Sequence, residues 1–267
     1  VLVILGLLAG APVFAAVPKG VIAKDRVAGG EHWRLQTASG WVHVWRPAGY
    51  LRSTAGIVVY VHGFTLDVDA AWEQHQLGKQ FEASRRNAVF VVPEAPASAE
   101  DPVRWPSLST LLTTVGSRLG LPWPSGPLVV VGHSGAHITF MPWLKDPRLG
   151  QVVLLDALYG NGMIERLRAW LRAGLGRLVL VDAPETAEDA ERLVHGMAGV
   201  MRRATIPESG ASFTSSDRKA RVAYFRSQYG HTDMVSEGKV IPPLLCLTRL
   251  SAITVPPKPA AKPRPRR

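Results

Sequence analysis

The sequence predicts an α/β domain built on a mostly parallel sheet, and three observations predict it. Short apolar, β-branched runs recur at Ile57 to Val61, Ala88 to Val92, Leu128 to Val131, Val152 to Leu155 and Leu178 to Val181, with a weaker run at Val222 to Phe225. Continuous apolar runs of this length are strands buried on both faces, as in parallel sheets. The segments between several of them have helical spacing, and strands alternating with helices define the α/β class. Ahead of these runs, E-H-W-R-L-Q and Trp41 to Trp45 flank Thr37-Ala38-Ser39-Gly40, a turn composition that makes an antiparallel hairpin. The expectation is about eight strands flanked by helices.

The predicted helices follow in order. Ala71 to Ser84 is the first, and Leu108 to Arg118 the second. Met163 to Leu175 carries Ile164, Leu167, Trp170 and Leu171 on one face. Thr186 to Met201 opens T-A-E-D, similar to a capping box with Asp in the third position. The polar segment Ser209 to Ser216 reads as a flexible excursion before the last strand. Neither an internal repeat nor a linker interrupts this stretch, so residues 17–255 are expected to form one domain.

Composition limits the functional classes. The chain has 267 residues, 46% of them hydrophobic, too many for a disordered polymer. One cysteine can build neither a disulfide framework nor a cysteine-based zinc site. The net charge of +10 invites a nucleic-acid or anionic-surface reading, but half of it sits in residues 256–267, P-P-K-P-A-A-K-P-R-P-R-R. Five prolines there forbid helix and favour an extended, disordered tail. Such a tail could tether the chain to an anionic surface, while the absence of aromatic residues leaves base stacking unsupported. Residues 1–16, V-L-V-I-L-G-L-L-A-G-A-P-V-F-A-A, are apolar and then small. They are similar to a secretory signal peptide and are too short and interrupted for a membrane span. Export to a periplasmic or extracellular location is therefore expected.

The chemistry concentrates after the run Leu128 to Val131. Gly132-His133-Ser134-Gly135-Ala136 matches G-x-S-x-G except for Ala in the last place. A serine on a tight strand-to-helix turn occupies strained backbone, and small neighbours prevent collision with strand and helix. The turn would lift the Ser134 hydroxyl above the carboxyl ends of the strands, and the start of the following helix would favour developing negative charge. The pattern gains force from its context, directly after V-V-V and before a helix-compatible segment.

On these residues the chain resembles the α/β-hydrolase superfamily from about Glu31 to Leu250: an antiparallel second strand, a nucleophile turn after the fifth strand and a late histidine. The resemblance implies that the loop after Ile57 to Val61, His62-Gly63-Phe64, gives one oxyanion-hole N–H at Phe64, and that Gly135 gives the other. It also implies the chain order serine, acid, histidine, which leaves His137, His195 and His231 as possible bases. His137 lies along the nucleophile helix, and His195 lies inside a predicted helix. His231 follows the last strand on a loop after Gly230, an exposed place from which a base can reach the serine, and is chosen. His133 reads as a packing or site-shaping residue.

The acid stays open. Asp156 ends the run Val152 to Leu155, Asp182 ends Leu178 to Val181, and Glu185 lies just beyond. Most of the superfamily places the acid after the later of these strands, although some lipases use the earlier one. Thr186 looks like a helix cap that Asp182 would help organise, whereas Asp156 has no evident capping task and needs a partner. The order of preference is Asp156, Asp182, Glu185. Phe64, Trp72, Trp105 and Tyr159 are candidates to line an apolar pocket, and Glu94 reads as structural. The sequence holds no Walker motif, dinucleotide fingerprint or H-E-x-x-H, so no cofactor or metal is implied. The expected function is hydrolysis of an ester, less readily an amide, through an acyl-enzyme on Ser134. The rival is a non-catalytic protein of the same fold that binds an anionic partner through its tail.

Overall fold

A computed structural model describes residues 21–174 and 176–253. The apolar leader, residues 1–16, and the basic tail, residues 256–267, lie outside the described residues, and with them the expectations of export and of a surface tether.

The sheet has ten strands: β1 (Val21–Val27), β2 (Gly30–Thr37), β3 (Gly40–Arg46), β4 (Gly56–Val61), β5 (Ala88–Pro93), β6 (Leu128–His133), β7 (Leu149–Leu155), β8 (Arg177–Asp182), β9 (Val200–Arg203) and β10 (Val222–Arg226). Their spatial order is β1-β2-β3-β5-β4-β6-β7-β8-β10-β9. The first three strands form an antiparallel meander joined antiparallel to β5, and every pairing from β5 to β9 is parallel. Strands β4, β5, β6 and β8 are buried at every position, as their uninterrupted apolar runs require.

Helices cover both faces: α1 (Val68–Gln74), α2 (Leu77–Ser84), α3 (Leu108–Leu119), α4 (His137–Phe140), α5 (Asn161–Arg172), α6 (Ala187–Val194), α7 (Ser215–Lys219), α8 (Asp233–Ser236) and α9 (Ile241–Leu245). One core packs α3, α5 and α6 on the sheet through residues such as Leu111, Val115, Leu167 and Leu193. The other packs α1, α2 and α9 through Trp72, Phe81 and Leu244. No helix among the described residues is long and apolar enough to cross a membrane.

Four local expectations are corrected. The sheet has ten strands rather than eight because the two added strands are edges without a buried apolar run: β1 is mostly exposed and β9 is half-buried. The helix expected over Ala71 to Ser84 is broken where Gln76 turns left-handed at φ +47°. The helix expected to reach Met201 stops at Val194, because Gly196 and Gly199 adopt φ +72° and +69° and lead into β9. The Ser209 to Ser216 segment is a 3₁₀ turn followed by α7, whose N-terminus is held by a capping box between Thr214 and Asp217.

The antiparallel hairpin is tied to α1 by a chain of polar groups. Asp25 accepts from Nδ1 of His32 at 2.6 Å, Nε2 of His32 meets Nδ1 of His43 at 2.8 Å, and Nε2 of His43 donates to Asp69 at 2.8 Å. Ionised carboxylates only accept, so both outer ring nitrogens carry protons. Arg34 grips both oxygens of Asp69 and lies 3.5 Å over the Trp41 ring. Trp72 stacks on both imidazoles at centroid distances of 4.6 and 4.9 Å. Trp72 is therefore wall to this array, and Trp105 is 1% exposed in the core with its carbonyl accepting from Trp143.

Candidate active site

The nucleophile turn is built by a strand that ends abruptly. β6 runs to His133, Ser134 takes φ +53°, and a 3₁₀ turn over Ser134–Ala136 follows. A positive φ at a non-glycine residue costs of order 1 kcal/mol or more and persists only when its surroundings hold it. They do so by close approach. A Cβ on Gly63 would lie 2.7 Å from the Ser134 Cβ, and one on Gly135 would lie 2.6 Å from the Phe64 ring. A side chain at either position would push its neighbour away, and this close approach sets the His62-Gly63-Phe64 loop against the serine turn. The regular helix behind the serine is only the four residues of α4, continued by a 3₁₀ segment containing Pro142, whose missing N–H interrupts the ladder.

The loop carrying Phe64 is fixed from several sides. Thr65 N–H donates to the Ala97 carbonyl at 2.8 Å. The buried His62 accepts from Ala95 N–H at Nε2, so its Nδ1 carries the proton given to the Gly63 carbonyl at 2.8 Å. Glu94 accepts from Val68 N–H at the start of α1, the structural role its sequence position suggested. Burial pushes the Glu94 carboxyl up to about 7.

Asp156 sits at the end of β7 in a second left-handed corner, φ +46°, and is 1% exposed. Its carboxylate is fully engaged. One oxygen accepts from the Thr186 hydroxyl and, at 3.2 Å, from Ala183 N–H. The other accepts from Nδ1 of His231. Burial alone would raise the Asp156 pKa, but the hydrogen bonds from His231, Thr186 and Ala183 outweigh it and hold the group below the ordinary aspartate value. The hydrogen bond to Asp156 raises the His231 pKa against partial burial. Nδ1 is thereby spent, and Nε2 is the ring nitrogen left over.

His231 arrives on the loop after β10 and is pinned by its backbone. Nε2 of His133, the residue before the nucleophile, donates to the His231 carbonyl at 3.0 Å, and the two rings lie 4.6 Å apart. Burial pushes His133 down to about 3, so it is a neutral ring that shapes the site.

The other candidates separate from this group. Asp182 is 2% exposed and accepts from the Tyr224 hydroxyl at 2.7 Å. Glu185 is exposed and makes no hydrogen bond to His231. Thr186 makes no side-chain cap for α6, contrary to the capping-box reading; its hydroxyl goes to Asp156 instead. His195 is exposed at the end of α6. His137 is half-buried, its ring beside Tyr159, rather than packed inside the nucleophile helix. Tyr159 joins the two left-handed corners. Its hydroxyl donates to the Asp156 carbonyl at 2.9 Å and neighbours Ser134, while its ring meets His137 at 5.2 Å. The sequence proposed Tyr159 as pocket lining but gave no sign of this link, because it depends on the backbone carbonyl of a residue three positions away.

Comparison with known proteins agrees with this architecture. Residues 58–256 match the model of the Alpha/beta hydrolase family. No curated protein matches the chain. Among solved structures, an S-formylglutathione hydrolase from Agrobacterium tumefaciens superposes with a TM-score of 0.57 at 12% identity, covering 87% of this chain and 100% of that one. The feruloyl esterase module from Clostridium thermocellum gives 0.57 at 11% identity, covering 87% and 96%. The carboxylesterase EstE1, cloned from a metagenomic library, gives 0.52 at 13% identity, covering 85% and 87%. The matched span holds the nucleophile turn, the β7 corner and the late histidine, and the chain belongs to the Alpha/beta hydrolase family.

Proposed function

We propose that the protein is a serine hydrolase that cleaves a carboxylic ester through an acyl-enzyme. The observation that carries the reading is the buried, fully hydrogen-bonded Asp156 holding Nδ1 of His231, whose backbone carbonyl is bonded to His133, the residue before a serine in a left-handed turn. A carboxylate in that position fixes the imidazole tautomer and stabilises the imidazolium. His231 Nε2 takes the proton from Ser134 as Oγ bonds to the ester carbonyl carbon. The N–H groups of Phe64 and Gly135 stabilise the resulting oxyanion, a contribution of about 3 kcal/mol for a single donor. Collapse of the intermediate breaks the carbon–oxygen bond, and His231 returns the proton to the leaving alcohol. Water then attacks the acyl-enzyme by the same route in reverse and releases the carboxylic acid.

The esterase names of the superposed structures agree with ester as the substrate class. A fluorophosphonate probe is expected to label Ser134, and Ser134→Ala is expected to abolish labelling and to lower ester turnover by roughly 10⁵-fold or more. A folded protein that the probe leaves unmodified would contradict the proposal.

A further inference from the structure

The amino end of the sheet, opposite the candidate active site, holds a cationic cavity. It opens where α5 and α6 end and β10 begins, and its volume is about 370 Å³. Arg168, Arg172, Arg221 and His195 line it, with Leu171 and the half-buried Met197 as apolar wall. No carboxylate lines the cavity. Among the described residues, none of the three arginines is paired with a carboxylate. Glu191 on α6 and Asp217 on α7 are engaged elsewhere, by Arg202 and Arg203.

Two of the guanidinium groups are held in place by backbone carbonyls. Arg168 donates from Nε to the Leu193 carbonyl and from a terminal nitrogen to the His195 carbonyl, both at 3.1 Å. It thereby covers the carbonyl end of α6, which would otherwise repel an anion. Arg221 spends only Nε, on the Gly176 carbonyl at 3.2 Å, and keeps both terminal nitrogens for a ligand. Arg172 is exposed in the last turn of α5. The positive charge continues beyond Arg221, whose carbonyl accepts from Leu178 N–H at 3.0 Å. The neighbour of Leu178 is Arg177, which burial, with Arg249 and Arg218 nearby, pushes down to about 10.

We propose that this cavity binds a phosphate monoester, its phosphate held by the guanidinium groups of Arg172 and Arg221 and its apolar body against Leu171 and Met197. A phosphate monoester carries close to two negative charges and three terminal oxygens, so it accepts from two guanidinium groups at once. A carboxylate offers the same donors one charge and two oxygens. The apolar wall distinguishes the ester from inorganic phosphate, which would leave that wall bare. The site lies at the opposite end of the sheet from Ser134 and does not depend on the catalytic proposal.

The test is calorimetric titration of the full chain with hexyl phosphate at about pH 8, where the phosphate is doubly ionised. Hexanol, the body without the charge, and hexanoate, the body with a single charge, are the controls. Saturable binding of hexyl phosphate, at least tenfold tighter than that of either control, is the expected result. Arg172→Gln and Arg221→Gln are each expected to weaken it at least tenfold. Arg52→Gln, which removes an equal charge from the loop before β4, is expected to leave it within twofold. All three arginines are exposed, so the fold should survive, which the circular dichroism spectrum checks. Cosedimentation with phosphatidylcholine vesicles containing phosphatidate separates two sources of the ester: retention that depends on Arg172 indicates a lipid headgroup, and its absence a soluble ester. Failure of hexyl phosphate to saturate, equal binding of hexanoate, an affinity unchanged in Arg172→Gln, or an equal loss in Arg52→Gln would overturn the proposal.

Discussion

Two Asp–His assemblies stand on this sheet, and they use their imidazoles in opposite ways. In the hairpin array, all four ring nitrogens of His32 and His43 are committed, and Trp72 covers both rings. At the candidate site, one carboxylate holds one nitrogen of His231, whose side chain is 39% exposed. The carboxylates are reversed as well. Asp25 and Asp69 reach toward solvent at 58% and 40% exposure, whereas Asp156 is buried and saturated with donors. A histidine becomes a base when a buried acid fixes one nitrogen and the other remains available. When both nitrogens are spent, the same pair of residue types is a fastener.

The sharpest break of this comparison is Asp156→Asn. It is expected to lower kcat/KM for a small ester by about 10³- to 10⁴-fold, while Asp69→Asn leaves it within a few-fold. The reverse experiment acts on stability. His43→Ala strands the inner nitrogen of His32 and removes a donor from Asp69, which is expected to cost about 2–3 kcal/mol in urea unfolding while kcat per folded molecule is retained.

Thr186→Val tests the support of the acid. Loss of its hydroxyl removes one hydrogen bond to buried Asp156, worth about 1 kcal/mol, and a fall in kcat of roughly five- to tenfold is expected. The pH profile gives the smallest effect. His231 must be neutral to accept a proton, and its pKa is raised by Asp156, so the ascending limb of kcat/KM is expected above the ordinary histidine value of 6.5. Asp156→Asn should move that limb down. The linkage has the matching sign: stability from protonated His231 is fully present below the unfolded histidine pKa and is lost as pH rises through the raised folded value.

The core of the fold was legible because parallel strands are written as uninterrupted apolar runs. β4, β5, β6 and β8 extend at most two residues beyond their apolar runs, β7 starts three residues before its run, and the strand-to-helix turn at Ser134 is marked by its small neighbours. The edges were not legible. Strand β1 presents Lys24, Asp25 and Arg26, and β9 is V-M-R-R, because an edge has solvent on one side and no apolar pattern to keep. At the candidate site, Ser134, His231 and Asp156 were proposed from type and position, and the order among the three acids was drawn without the bonds that His231 and Thr186 make to Asp156. A threonine that opens T-A-E-D reads as a cap, and only the fold brings its hydroxyl to the corner after β7. The hairpin array was invisible for the same reason: His32, His43 and Asp69 meet through strand register and one helix, not through spacing along the chain.

The most direct test is the rate at which a fluorophosphonate modifies Ser134 in Asp156→Asn compared with Asp182→Asn. Both substitutions are isosteric, and Asn can still accept the Tyr224 hydroxyl bond that Asp182 accepts. The expected result is a loss of about 10³-fold or more in Asp156→Asn and a rate near that of the unsubstituted protein in Asp182→Asn. A steep loss confined to Asp182→Asn would contradict it.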